Sequence, residues 1–435
     1  MIHAPNLTQH RIFIFWLPLA ATWLMMSMEG PFLSAVIARL SSPEYNLASF
    51  GVAFSFALLT ESPVIMMLSA ATALVTDRTS YLRLRTFTHG LNATVTAALG
   101  ALLLPPVFDF VARTLIELPE AVAARTWLAL LVLLPWPATI GYRRFYQGVL
   151  IRHGQTRRVA YGTVIRLATM ASTALALARW TELDGAVVGA AALTVGVTSE
   201  SITSRLMAGR AIRSLLDGDD GLSPAMGYGE ISRFYLPLAL TAMLALGIHP
   251  LVTFFVGHGR LPIESLAVLP VINSLVFVFR SLGLAFQEVG IALMGERGEH
   301  FIALRRFART LGMALVAGLG LIAWTPLGRV WFETVSGLPP ELAAFALTPT
   351  RILVLIPGLA VILSFQRAVL VHRKRTLPVT LATVIEVGGA VAVLIAGIFG
   401  VGAVGVIAAA TALLVGRLGA NLFLAPVLRA DTLND

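Results

Sequence analysis

The chain has 435 residues, 57% of them hydrophobic and 13% charged, and a mean hydropathy of +0.83, too apolar for a soluble globule of ordinary composition. It contains no cysteine, which excludes disulfides, thiolate catalysis and cysteine-ligated metals. The net charge of +9 lies on short loops between apolar runs, without the aromatic-interleaved basic surface of a nucleic-acid binder.

Apolar stretches of about 20 residues, the length a helix needs to cross a bilayer core of about 30 Å, fill nearly the whole chain. The pattern predicts an all-α polytopic membrane protein with twelve spans, over 12–38, 47–76, 90–113, 126–151, 158–180, 185–208, 232–256, 264–293, 307–332, 345–371, 377–399 and 401–428. The first span lacks the cleavage pattern of a leader and reads as a retained helix rather than a signal peptide. Basic residues fall on alternate loops, as orientation by cytoplasmic positive charge requires. One side carries Arg78, Arg83 and Arg85, then Arg152, Arg157 and Arg158, then Arg205, Arg210 and Arg213. In the second half it carries Arg297, Arg305, Arg306 and Arg309, then Arg373, Lys374 and Arg375. Both termini are therefore expected in the cytoplasm, and the composition suggests a bacterial inner membrane. A polar, glycine-rich stretch, 215–229, is expected to link an N-terminal lobe (1–214) to a C-terminal lobe (230–435).

The two halves repeat. Phe15-Trp16-Leu17-Pro18-Leu19-Ala20 returns 219 positions later as Phe234-Tyr235-Leu236-Pro237-Leu238-Ala239, and Pro31 returns as Pro250. After one inserted residue the register becomes 220, aligning Pro137 with Pro357 and Thr163-Val164-Ile165 with Thr383-Val384-Ile385. Six spans per half give both repeats the same topology, as in transporters built from parallel repeats. Pro18, Pro31, Pro237 and Pro250 each remove a donor from the helical ladder, so they are expected to kink spans 1 and 7.

Ionisable groups inside spans are costly, about 2.5–3.5 kcal/mol each on insertion scales, and face a cavity or a partner. The register aligns Glu61 with Arg280 and Arg166 with Glu386, so the halves carry opposite charges at matching depths. Glu29 lies one position from the register of His249. One reading is a central cavity where Arg280, Arg166 and His249, with Arg143 and Arg144, attract an anionic small molecule. Glu29, Glu61 and Glu386 then tune the charge or bind a coupling proton or cation. The other reading makes Glu61–Arg280 and Arg166–Glu386 salt-bridge gates or struts between the lobes. Arg143 and Arg144 could instead snorkel to the interface. Glu288 reads as a solvated span end, and Glu200 and Arg417 as packing residues. His153, His258, His300 and His372 have no metal-site spacing, so neither metal nor cofactor is expected.

Twelve spans in two six-span repeats, with prolines in the first helix of each, resemble the MATE-like fold of the MOP flippase superfamily. Ala48-Ser49-Phe50-Gly51-Val52-Ala53-Phe54-Ser55 followed by Asp77-Arg78-Thr79 is similar to the progressive ankylosis (ANK) family. So are the segments Leu236-Pro237-Leu238-Ala239-Leu240, Pro250-Leu251-Val252 and Glu264-Ser265-Leu266-Ala267-Val268. This resemblance implies an exporter linked to pyrophosphate, nucleotide and citrate release. The expectation is a monomeric secondary transporter working by alternating access. Its rivals are a MATE-type multidrug/proton antiporter using Glu29 and Glu61, and a flippase for lipid-linked substrates. An enzyme is not expected, and no GxxxxGK[ST] loop for ATP occurs.

Overall fold

The computed structural model describes residues 7–217, 227–295, 298–373 and 377–432. Most of the expected linker, together with Arg297, Lys374 and Arg375, lies outside the described residues. Eleven helices, some continuing across a short break, are long and apolar enough to cross a membrane. A twelfth is reached if Arg78–Leu102 and Pro105–Leu115, bent by 71°, form one span.

The helices are α1 (Gln9–Ser27 and Glu29–Ile37), α2 (Pro43–Ile65 and Met67–Leu74), α3 (Arg78–Leu102), α4 (Glu120–Val132 and Trp136–Arg152), α5 (Thr156–Trp180) and α6 (Gly185–Met207). The second half has α7 (Tyr228–Leu246 and Ile248–Gly257), α8 (Pro262–Leu293), α9 (Phe301–Trp324), α10 (Pro340–Leu353 and Ile356–His372), α11 (Leu377–Ile395) and α12 (Gly405–Thr432).

Several helices start earlier than the sequence expectation, among them α4 at Glu120 rather than 126 and α10 at Pro340 rather than 345. The third helix begins at Arg78 rather than at 90, and the ninth at Phe301 rather than at 307. The arginines expected in loops, Arg78, Arg83, Arg85, Arg305, Arg306 and Arg309, therefore lie within the first three turns of helices. At α3 the cause is local: Asp77 Oδ1 accepts from the Ser80 backbone N–H (2.8 Å) and Ser80 Oγ accepts from the Asp77 N–H (3.0 Å). This reciprocal capping box starts the helix outside the apolar stretch. Arg210 and Arg213 lie on a short surface helix, Gly209–Asp217, which buries Ala211, Ile212 and Leu215.

The expected proline kinks in α1 and α7 occur at equivalent places. Pro31 has no N–H to give the carbonyl of Ser27, and Pro250 none for Leu246. The first segments end at those residues, Ser27 and Leu246, and the breaks fall at Met28 and Gly247, which are 219 apart. Pro18 and Pro237 lie inside the first segments.

The helices group differently from the two sequence halves. One compact unit holds Met1–Ala35 with Phe255–Asp435, and the other holds Val36–Phe254. The first helix of each half thus packs with the other half's helices. Within the first unit, Trp16 Nε1 donates to Leu282 O (3.1 Å), and its ring meets Phe307 edge-on at 6.1 Å. Within the second, Tyr235 Oη donates to Pro63 O (2.5 Å), and its ring meets Phe87 edge-on at 5.6 Å. All three residues correspond in register: Trp16 with Tyr235, Leu282 with Pro63, Phe307 with Phe87. Duplication has therefore kept an aromatic donor, its carbonyl acceptor and its ring neighbour.

Close helix crossings are kept in the same way. A Cβ on Gly148 of α4 would lie 2.5 Å from Ala71 Cβ of α2, and one on Gly290 of α8 would lie 2.7 Å from Ala368 Cβ of α10. Gly148 aligns with Ala368 and Ala71 with Gly290, so each crossing has one glycine and one alanine, on opposite helices. Contact this close needs a missing side chain on one partner.

Candidate functional site

In the Val36–Phe254 unit, α4 supplies Arg143 and Gln147 one turn apart, hence on one face. Thr163 and Arg166 share a face of α5 for the same reason. They converge on Glu200 of α6, which is fully buried. Arg143 Nη1 donates to Glu200 Oε2 in a close ion pair. Gln147 Nε2 (3.0 Å) and Thr163 Oγ1 (3.4 Å) donate to Oε1, and Arg166 Nη1 lies 3.5 Å from Oε2. A buried carboxylate is tolerable when its oxygens are satisfied in this way. Nearby, Glu61 of α2 is 6% exposed and accepts from Trp136 Nε1 at 2.7 Å. No cation lies within ion-pair distance of Glu61 among the described residues. Arg144, half-buried, makes no hydrogen bond or ion pair among the described residues, although Glu61, Glu200, Arg143 and Arg166 are within electrostatic reach. Three arginines against two glutamates leave this cluster with a formal charge of +1.

In the other unit, Glu386 of α11 pairs with Arg417 of α12 (2.8 Å). Arg280 of α8 lies over the Phe277 ring, its guanidinium carbon 5.1 Å from the centroid, within reach of the charges of Arg417 and Glu386. Its buried Nε has no hydrogen-bond partner. Arg367 of α10, aligned with Gln147, donates to Thr383 Oγ1 at 3.3 Å. Three arginines against one glutamate give a formal charge of +2.

The clusters share a plan with reversed signs. The cation is on α5 and the anion on α6 in one, whereas the anion is on α11 and the cation on α12 in the other. Thr163 and Thr383 occupy the same register position in both. A hydroxyl both donates and accepts, so one threonine donates to a carboxylate and the other accepts from a guanidinium.

Three of the four charges considered as bridges between the lobes have a partner inside their own unit, Glu61 with Trp136, Arg166 with Glu200 and Glu386 with Arg417, and the fourth, Arg280, lies over the ring of Phe277. Arg143 is buried in the Glu200 pair rather than extended along its span. Glu200 and Arg417, expected only to pack, are the hubs, and Trp136, Gln147 and Arg367 were not anticipated. The available signal was the i, i+4 spacing of Arg143 and Gln147 together with the alignment of Gln147 on Arg367. Glu29 and His249 stand two residues or fewer past the breaks of α1 and α7, both half-buried. Glu288 is exposed, as expected of a solvated residue. Among the described residues no group of three or more His, Asp and Glu could hold a metal ion.

No family model and no curated protein matches the chain. Solved structures match it over nearly its full length. An inward-facing multidrug resistance MATE family transporter of the MOP superfamily aligns with a TM-score of 0.75 and 16% identity, covering 97% of this chain and 98% of that one. The lipid II flippase MurJ, in an inward closed conformation, gives 0.71 and 14%, covering 95% and 87%. The MATE multidrug transporter DinF-BH gives 0.70 and 11%, covering 97% and 95%. The chain has the all-α, MATE-like fold of MOP superfamily proteins.

Proposed function

We propose that the chain is a secondary transporter of small multivalent anions, such as citrate, pyrophosphate or nucleotides, exporting them by alternating access. The observation that carries this reading is the arginine excess in both buried clusters. Arg280 lies mid-span and Arg144 eight residues inside the end of α4, and neither has a carboxylate within ion-pair distance among the described residues. An arginine there is costly on its own, and an anionic substrate would offset that cost. The sequence likeness to the progressive ankylosis family supports the same substrate class. Arginines within the first three turns of α3, α5 and α9 support cytoplasmic termini in an inner membrane, with the chain acting as a monomer.

The test is flux of citrate and pyrophosphate from proteoliposomes. Arg144→Gln and Arg280→Gln are expected to cut flux at least about tenfold, equivalent to about 1.4 kcal/mol of binding, while purifying as folded protein. Wild-type protein that carries neither anion overturns the proposal.

A second reading is favoured by Glu61, whose carboxylate has only an indole donor among the described residues. A MATE-type antiporter would use Glu61 and Glu29 for a proton or cation while moving drugs, the cargo of its multidrug-transporting neighbours. It predicts dye efflux driven by a pH gradient and lost in Glu61→Gln. Transport of a lipid-linked substrate, with soluble anions untouched, would point instead to the flippase alternative.

A further inference from the structure

A cavity of about 340 Å³ opens over α4 in the Val36–Phe254 unit. It is lined by His89, Asn92 and Ala93 of α3, Thr139 and Tyr142 of α4, and Ser201 of α6. Each of the three helices carries a further residue four positions nearer its arginine-rich end, hence on the same face. These are Arg85 before His89, Tyr146 after Tyr142 and Arg205 after Ser201. The cavity thus continues toward that membrane face as a groove, with a tyrosine floor and an arginine on each wall.

An aromatic row holds the two arginines. Arg85 lies over the Tyr81 ring, its guanidinium carbon 5.9 Å from the centroid, and Arg205 lies over the Tyr146 ring at 5.2 Å. Phe145 joins the rings, its centroid 5.7 Å from that of Tyr81 and 5.0 Å from that of Tyr146. Both arginines are half-buried, and neither has a carboxylate or hydrogen-bond partner among the described residues. Their guanidinium donors therefore remain available. Arg205 stands two residues before the end of α6. Arg85 is seven residues into α3, roughly 10 Å at 1.5 Å per residue, and that helix starts outside the apolar stretch. Both arginines thus sit at headgroup depth.

Deeper in the groove, Asn92, Thr139 and Ser201 direct their hydrogens to the backbone carbonyls of Ala138, Pro135 and Thr198. The lining donors not so directed are His89 and Tyr142, and the lining has no carboxylate. Beside Ser201 and Arg205, Ile202 and Leu206 are 54% and 72% exposed, an apolar surface that suits acyl chains. The repeat supplies an internal control. Tyr81–Phe145 returns as Phe301–Phe365, 5.3 Å apart, and Arg85 returns as Arg305. Tyr142 and Tyr146, however, become Ile362 and Gln366, and Gln366 Nε2 donates to Asn421 O of α12 at 3.0 Å. Arg205 becomes Ala425 in the 220 register and Leu422 at a spacing of 217. Packing of these helices therefore requires neither the tyrosine floor nor the second arginine.

We propose that the groove binds an anionic phospholipid from the leaflet at the arginine-rich face. Arg85 and Arg205 hold the phosphate through charge-assisted hydrogen bonds. One helical turn deeper, His89 and Tyr142 donate to the ester carbonyls, and a chain enters the cavity past the exposed Ala93.

The experiment presents the full chain, in micelles of a neutral detergent, with phosphatidylglycerol or phosphatidylcholine of identical chains, and reads bound lipid by native mass spectrometry. Phosphatidylglycerol is expected to bind at least about tenfold more tightly, the equivalent of about 1.4 kcal/mol. Arg85→Gln with Arg205→Gln should bring it down to the level of phosphatidylcholine. Arg210→Gln, an exposed arginine at the same membrane face, should leave it unchanged. Ala93→Phe fills the cavity mouth from an exposed position and should weaken phosphatidylglycerol binding about fivefold or more, which keeps the test decisive if the double variant fails to fold. Equal binding of the two lipids, an equal loss in Arg210→Gln, or binding unaffected by Ala93→Phe overturns the proposal. So does displacement of the lipid by glycerol 3-phosphate, which carries the phosphate without the chains and would mark a site for soluble anions.

Discussion

Glu200→Gln tests whether the Glu200 cluster is a single electrostatic unit. The substitution keeps the shape and the oxygen facing Gln147 and Thr163 but removes the charge that pairs with Arg143 and Arg166. Arg143 is 4% exposed and Arg166 7%, so water cannot replace the lost carboxylate. Breaking a buried pair from one side costs about 3–5 kcal/mol. At about 2–4 °C per kcal/mol for a body of some 150–250 residues, the apparent melting temperature should fall by roughly 6–20 °C. The matched control is Arg417→Gln in the other unit. Its pair with Glu386 is wetter, with side-chain exposures of 14% and 22%, so a drop of only about 2–8 °C is expected, the equivalent of about 1–2 kcal/mol. The assay is thermal unfolding of the detergent-purified protein at constant lipid and salt. Adding Arg143→Gln to Glu200→Gln should recover part of the loss, because the second change removes one stranded cation. If Glu200→Gln melts no lower than Arg417→Gln, or the double variant shows no recovery, the reasoning is wrong.

Trp16→Phe and Tyr235→Phe each keep a ring and lose one donor, so each should cost about 1 kcal/mol, with additive effects on the melting temperature because the sites are in separate units. Gly148→Ala should destabilise by about 1–3 kcal/mol through overpacking, and Ala71→Gly should restore part of this by recreating the Gly290–Ala368 arrangement; thermal unfolding of the single and double variants checks it. The Ser80 backbone N–H, first among its hydrogen bonds, holds the Asp77 carboxyl below the usual aspartate range. A folded value below the unfolded one means the cap's stabilisation is present above the unfolded value, about 3.9, and is lost as pH falls through the folded value. Asp77→Ala should therefore melt lower than wild type at neutral pH, by about 1 kcal/mol, with the gap closing below about pH 4 in unfolding measured across pH.

Periodicity and repeat carried much of this fold. Span number, the helix breaks near Pro31 and Pro250 and the mid-span placement of Glu61, Arg166, Arg280 and Glu386 all follow from local chemistry, namely apolar length and missing donors. Pairing does not follow from it. Hydropathy marks a span but not which face meets which neighbour, so the exchange of α1 and α7 between the units was not legible. Trp16 and Tyr235 look like ordinary aromatics until their carbonyl acceptors come into contact. Glu200 read only as a packing residue for a related reason: its counterpart Arg417 lies 217 positions later rather than 220, about one helical turn out of register. The cavity at Asn92 depends on a gap between helices, and a gap leaves no pattern along a chain.

The halves treat shape and charge differently. The Trp16 and Tyr235 donors, the glycine–alanine crossings and the threonines at 163 and 383 survive duplication in place, because a packing contact depends on volume and direction at one spot. An ion pair is indifferent to which helix carries which sign, since exchanging the two charges leaves their Coulomb energy unchanged. Arg166–Glu200 and Glu386–Arg417 could therefore reverse as pairs without loss, and their reversal carries no message about substrate. Glu61 and Arg280 are different. They occupy the same position with opposite signs, and neither has an ion-pair partner among the described residues, so exchanging one for the other changes the charge of its surroundings by two. Structural drift would remove such a position rather than keep it charged in both halves. By this argument Glu61 and Arg280, more than the better-connected residues around Glu200, are where substitution should change the proposed transport while leaving stability intact.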